Sequence, residues 1–166
     1  DDLNQYRMRI VFMATGEIAG PAFSAVLSSE HEVIGLVTQP DRPVGRKQIL
    51  TAPKVKKLAL EAGIPVIQPE KVHEMEALAQ IKEWDPAIIV VMAYGQILPQ
   101  NLIDLPARAI INLHASLLPK YRGASCIQGP IREGDAKTGW SVIHVVKKLD
   151  AGSVILQREI EIHKSE

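Results

Sequence analysis

The chain has 166 residues, 46% of them apolar and 23% charged, with 19 cations balanced by 19 anions. That length suits one domain with a sizeable core, and zero net charge excludes a global field drawing the protein to nucleic acid or membrane, so any basic surface must be local. The single cysteine, Cys126, excludes an internal disulfide and a Cys-rich zinc site, which fits a reducing, cytoplasmic setting; no run approaches transmembrane length and no signal peptide is visible.

Residues 1–7 are polar and are read as a tag or disordered end, leaving 8–166 as the domain. The apolar run 9–14, closed by Thr15 and Gly16, has the pattern of a first buried strand. Pro21 opens a helix to about Leu27, with Ala22, Phe23, Val26 and Leu27 expected inward. Gly16 and Gly20 give only G-x-x-x-G, with Glu17 where a phosphate would sit. They are read as turn and packing residues, and a nicotinamide site is rejected. Residues 32–38 form the second expected strand, followed by a loop over 39–47. Between Pro40 and Lys57 six cations face one acid, Asp41. In a neutral chain this marks a local positive patch suited to phosphates. Arg42, Arg46 and Lys47 are its functional candidates; Lys54, Lys56 and Lys57 are read as the solvated face of a helix.

That helix is expected over 53–62, stopped by Gly63. A short strand follows at 64–67, where Pro65 suggests an edge position. Residues 72–84 read as an amphipathic helix with Met75, Leu78, Ala79 and Ile81 inward and His73 solvated. Residues 87–93 are the most apolar run and should form the central strand, buried on both faces. A loop over 94–99 and a helical turn over 101–105 lead to the next strand, which starts at Ala109. Beyond Gly123 come a short helix over 126–132, a strand over 140–146 in which His144 is structural or exposed, a turn over 147–152, and a last strand over 153–162. Strands alternating with helices imply an α/β fold with a doubly wound, mostly parallel sheet.

The strand from Ala109 carries Asn112 and His114. Alternation puts both on one face, and Pro119 and Gly123 forbid its simple continuation. An amide and an imidazole thus stand side by side at the carboxyl edge of the sheet, where open α/β folds bind ligands. Asp150 lies on a later turn, before small residues that let a backbone approach closely. Such a trio suits transfer of an acyl group to an amine. The amide can bind an oxyanion, the imidazole can carry protons near neutrality, and the carboxylate can favour and orient the imidazolium. A Ser-His-Asp hydrolase lacks its G-x-S-x-G elbow, with Ser116 too close to His114 in sequence to be its partner. Cys126 has no local context for a nucleophile and is read as a small packed residue.

The run N-L-H-A-S-L-L-P-K-Y-R-G over 112–123 closely resembles the signature of the folate-dependent formyltransferases, and L-D-A-G over 149–152 matches their downstream aspartate turn. The stretches 38–46 and 91–99 resemble those of family members that formylate methionyl initiator tRNA. The likeness runs from Met8 to the end of the chain. It implies a Rossmann-like formyltransferase fold with Asn112, His114 and Asp150 as catalytic residues, without a metal. It implies a 10-formyltetrahydrofolate site formed by Val91, Met92, Ala93, Tyr94, Gly95, Gln96, Ile97, Leu98, Ser116, Leu117, Leu118 and Pro119. The same resemblance gives Arg42, Arg46 and Lys47 to the acceptor end of initiator methionyl-tRNA, and a monomer is expected. Two departures stand out. The first loop reads M-A-T-G-E-I where the family usually shows M-G-T-P-E-F. Family members of this type also continue past the equivalent of Glu166 into a smaller, barrel-like domain that helps hold tRNA, so the catalytic domain is expected to be incomplete at its C-terminal end.

Alternatives within this resemblance are an enzyme that formylates a nucleotide-linked amino sugar, which shares the same catalytic elements, and a hydrolase that releases formate from the folate. Glycinamide ribonucleotide formyltransferase is disfavoured because its Gly/Ser-rich phosphate loop is missing near the amino end. A folate- or nucleotide-binding module without turnover is the reading from another class.

Overall fold

The structure, a computed structural model, describes residues 5–164. Residues 1–4 of the expected tag or disordered end lie outside the described residues, and residues 5–7 are exposed and belong to no strand. The runs richest in apolar side chains become the innermost strands, β1 (Arg9–Ala14) and β6 (Ile88–Met92). Around them are β2 (Glu32–Val37), β5 (Val66–Ile67), β7 (Ala109–His114), β8 (Lys137–His144) and β9 (Val154–Glu161). The sheet order is β5-β2-β1-β6-β7-β8-β9, parallel from β5 to β7 and antiparallel at β8 and β9. The expected doubly wound sheet is therefore present, with β6 in the middle and the Pro65 strand at an edge.

Helices α1 (Gly20–Leu27) and α2 (Lys54–Glu61) cover one face. Under them Phe12 and Phe23 meet edge to face, ring centroids 5.1 Å apart, among the fully buried Leu36, Val55 and Ala59. Helix α3 (Met75–Trp84) and the short α4 (Gln100–Ile103) cover the other, over Val11, Met13, Ile89 and Ile110. The inward face of α3 differs from expectation. Met75 is 86% exposed and Ala79 is also exposed, while Ala77 and Ile81 are buried. Trp84 fixes this rotation, because its ring occupies the space over Gly35, where a Cβ would stand 2.5 Å from it. Ala77 and Ile81 share that stripe at helical spacing, whereas Met75 and Ala79 do not.

The expected loop 39–47 is instead the first half of a hairpin, β3 (Arg42–Val44) with β4 (Ile49–Thr51), every residue of which is exposed. Gly45 at φ +74° and Gln48 at φ +49° turn the chain between them. Pro43 is tolerated because this two-stranded ribbon is all edge. The short helix after Gly123 is α5 (Gln128–Glu133), ended by Gly134 at φ +73°. All of β9 is exposed despite its apolar content, as an outer antiparallel strand.

Candidate active site

Backbone pairing on both sides of β7 fixes Asn112 and His114. Asn112 stands opposite Val91 in β6 and Ile143 in β8, and His114 opposite Ser141. Both side chains point to the α3–α4 face, as the alternation required. Asn112 makes no side-chain hydrogen bond among the described residues, whereas both nitrogens of the buried His114 face acceptors. Nε2 lies 2.8 Å from the Tyr121 carbonyl, which can only accept, so Nε2 carries a proton. Nδ1 lies 3.6 Å from Asp150 Oδ1, with both side chains less than a tenth exposed.

Asp150 reaches this position through a strained and crowded turn. Its φ is +51°, its Oδ2 accepts the Gly123 N–H at 2.8 Å, and its carbonyl accepts Arg122 Nε at 3.2 Å. Gly152 lets the turn fold back, since a Cβ there would lie 1.6 Å from the His144 carbonyl oxygen. The three polar groups read from the sequence are thus brought together from two separate segments.

They stand in a cavity of about 820 Å³ at the carboxyl edge of β6 and β7. Every residue from Val91 to Leu98 lines it. Leu149, on the Asp150 turn, lines it as well, together with residues that the sequence did not mark, including Trp140, Ile143 and Val146, and the exposed His144. Cys126 also lines it; burial pushes its thiol above the usual range, which suits the packed rather than the nucleophilic reading. Burial likewise raises the Tyr94 phenol, whose oxygen has no hydrogen-bond partner among the described residues.

Ser116, Leu117, Leu118 and Pro119 are not brought to this cavity. Ser116 is fully buried and its hydroxyl donates to the Lys120 carbonyl at 2.6 Å. Leu118 is buried, with its N–H on Ser141 Oγ at 3.1 Å, and Leu117 lines a separate cavity of about 330 Å³. The chain after His114 spends these polar groups on its own turn and on β8.

The first loop is tied to the same edge. Thr15 and Gly16 donate their N–H groups to the Ala93 carbonyl at 3.0 Å, and Thr15 Oγ1 donates to the Tyr94 carbonyl at 2.8 Å. Gly16 packs against Ala93, where a Cβ would lie 3.1 Å from that side chain, in keeping with its reading as a packing glycine.

On the hairpin, Arg42 pairs with Glu70 at 3.3 Å, both exposed, while Arg46 and Lys47 are exposed at the turn. Lys54 pairs with Glu17 at 3.1 Å on the surface. Lys56 departs from its expected solvated role and pairs with Asp41 at 3.2 Å. The amide of Gln68, and secondarily Lys56, hold the Asp41 carboxyl below the usual carboxylate range. Among the described residues no group of three or more His, Cys, Asp or Glu side chains could hold a metal, and no helix is long and apolar enough to cross a membrane.

The sequence model of the family described as "Formyl transferase" matches residues 8–166. The chain is 55% identical over 159 residues to a methionyl-tRNA formyltransferase of Akkermansia muciniphila, covering 96% of this chain and 50% of that protein. A methionyl-tRNA formyltransferase of Lysinibacillus sphaericus is 48% identical over 153 residues, 92% of this chain and 49% of that protein. The chain therefore spans about half the length of the curated relatives it matches. Among solved structures, a phosphoribosylglycinamide formyltransferase from Bacillus halodurans superposes with a TM-score of 0.76 at 24% identity, over 95% of this chain and 82% of that one. A glycinamide ribonucleotide transformylase 1 from Geobacillus kaustophilus gives 0.75 at 27% identity, over 97% and 86%.

Proposed function

Because this chain belongs to the formyl transferase family, we propose that it carries the site that moves the formyl group of 10-formyltetrahydrofolate to the α-amino group of methionine on initiator tRNA. One observation carries the reading: Asn112, His114 and Asp150 converge in a single cavity of about 820 Å³. That volume lies within the range of small-molecule sites, and Ile97, Trp140 and Val146 give it apolar walls suited to a flat heteroaromatic ring. The names of the relatives that align with 92–96% of the chain support the tRNA acceptor over the sugar.

The donor supplies a formyl carbon bonded to a weakly basic nitrogen. The acceptor amine must arrive neutral, so that its lone pair can form the new C–N bond as the old one breaks. Asn112, with no side-chain hydrogen bond among the described residues, offers its amide N–H to the charge that gathers on the formyl oxygen, an interaction whose removal typically costs about 3 kcal/mol. The attacking nitrogen sheds one proton and the departing nitrogen gains one; His114 relays it when a ring nitrogen turns from its protein acceptor, the Tyr121 carbonyl or Asp150, to the substrate. Asp150 acts through His114, stabilising positive charge on the ring. Arg42, Arg46 and Lys47 give the exposed hairpin the charge to hold acceptor phosphates.

The test is formyl transfer from 10-formyltetrahydrofolate to methionyl initiator tRNA, alongside a nucleotide-linked amino sugar. It is run with this chain and with one extended to the length of its curated relatives. Transfer to tRNA supports the reading; transfer to the sugar alone overturns the acceptor, and donor binding without any transfer leaves only a binding module. His114→Ala is expected to fold normally and lose roughly 10²-fold or more in turnover; undiminished turnover would remove His114 from the mechanism.

A further inference from the structure

Gln39 lies outside the reacting trio and does not line the cavity, yet its side chain grips the cavity wall at two points. Its Nε2 donates to the Gly95 carbonyl at 3.1 Å, and its Oε1 accepts from Gln96 Nε2 at 3.0 Å. Gln96 in turn accepts the Val72 N–H at 2.8 Å and offers its amide to the Glu70 carbonyl at 3.1 Å, so it depends on Gln39 for one acceptor only. Gln39 itself is rooted away from the cavity. Its N–H donates to Thr15 Oγ1 at 3.2 Å, and its carbonyl accepts Gln68 Nε2 at 3.2 Å, which also bonds Asp41 at 2.6 Å.

The wall needs such a grip. Ala93 sits at φ +47° and Gly95 at φ +95°, and both are exposed, as is Ile97 at 85%. Between the buried Tyr94 and the half-buried Leu98, apolar packing therefore does little to fix the backbone, and polar bonds must. The fit is close: a Cβ on Gly95 would stand 2.8 Å from Gln39 Nε2.

We propose that Gln39 is a positioning residue for the donor cavity, setting the wall at Gly95 and Gln96. This rests on the cavity's being the folate site. The predicted signature is weaker donor binding with the chemical step preserved.

Titration with 10-formyltetrahydrofolate, followed through the fluorescence of Trp140 in the cavity wall, gives the donor Kd. Gln39→Ala is expected to raise it about 5–10-fold, the loss of one to two neutral hydrogen bonds. The same factor should appear in the donor KM, with kcat changed by less than about 2-fold and the thermal midpoint within about 2 °C. Gln39→Glu keeps an acceptor for Gln96 but sets a carboxylate against the Gly95 carbonyl, so its Kd should rise at least as far. The double variant Gln39→Ala/Gln96→Met should lose less than the product of the two single losses, because both act on one segment. Wild-type Kd and KM in Gln39→Ala and Gln39→Glu would overturn the proposal, as would equal falls in kcat and stability. Failure of the unaltered protein to bind the folate would instead overturn the folate reading itself.

Discussion

Asp150→Asn removes one charge and no heavy atoms, so it separates electrostatics from architecture. The asparagine oxygen can keep the Gly123 N–H, now 2.8 Å from Oδ2, while its NH₂ faces His114 Nδ1 across the 3.6 Å gap. With Nε2–H already on the Tyr121 carbonyl, that arrangement gives Nδ1 a donor and leaves no carboxylate opposite the ring. At 3.6 Å a full imidazolium–carboxylate pair is worth about 4–5 kcal/mol at an effective dielectric constant of ~20. If half of the charge has developed in the transition state, about 2–2.5 kcal/mol is lost, or roughly 30–70-fold in rate. The assay is single-turnover formyl transfer with donor and acceptor both saturating, with donor Kd and thermal midpoint as controls. Turnover within about 3-fold of the unaltered protein, in a normally folded variant, would refute an electrostatic role for Asp150. Asp150→Ala should lose more, because it also orphans the Gly123 N–H.

Gly152→Ala drives a Cβ to 1.6 Å from the His144 carbonyl, a backbone atom that cannot rotate away. The turn must shift, destabilising the domain by about 1–3 kcal/mol and lowering the thermal midpoint by roughly 3–10 °C. Turnover should fall at least about 10-fold as Asp150 leaves His114; an unchanged midpoint and rate would show that the turn is softer than it looks. Arg46→Ala and Lys47→Ala should each weaken tRNA binding and reduce the slope of log K against log salt by about 0.7–0.9 for each phosphate left without its cation; an unchanged slope would remove that cation from the interface. The Asp41 carboxyl, held low first by Gln68 and then by Lys56, contributes stability that is complete above its unfolded pKa of about 3.9 and is lost as pH falls through its folded value. The carboxyl carbon resonance of Asp41 should therefore titrate below about 3.9, and a midpoint at or above that would show that the hairpin anchor is not formed.

The parts of this site that were legible in the sequence are those fixed by local periodicity. Asn112 and His114 share a face because a strand alternates, and residues 91–98 fall at the same edge because the strand before them is parallel to β7. Gly152 offered only a hint that Asp150 could fold inward; the approach needed the antiparallel return of β8, which no local pattern encodes. The same strand supplies Trp140 and Ile143 to the cavity lining, and the segment after it adds Val146. Isolated apolar residues there look like any core. Ser116–Pro119 entered the folate site through the family resemblance alone; they do not line this cavity, and Ser116 and Leu118 give polar groups to Lys120 and Ser141. The hairpin was hidden by Pro43, a strand breaker that matters only where a second partner is needed. In α3, composition pointed to Met75, yet one bulky ring, Trp84 over Gly35, set the rotation. Where packing decides, the choice lies between elements far apart in sequence. Gln39 is the sharpest case: it lies in a stretch that carries the family resemblance, but only the distances to Gly95 and Gln96 give it a task that a binding measurement can isolate.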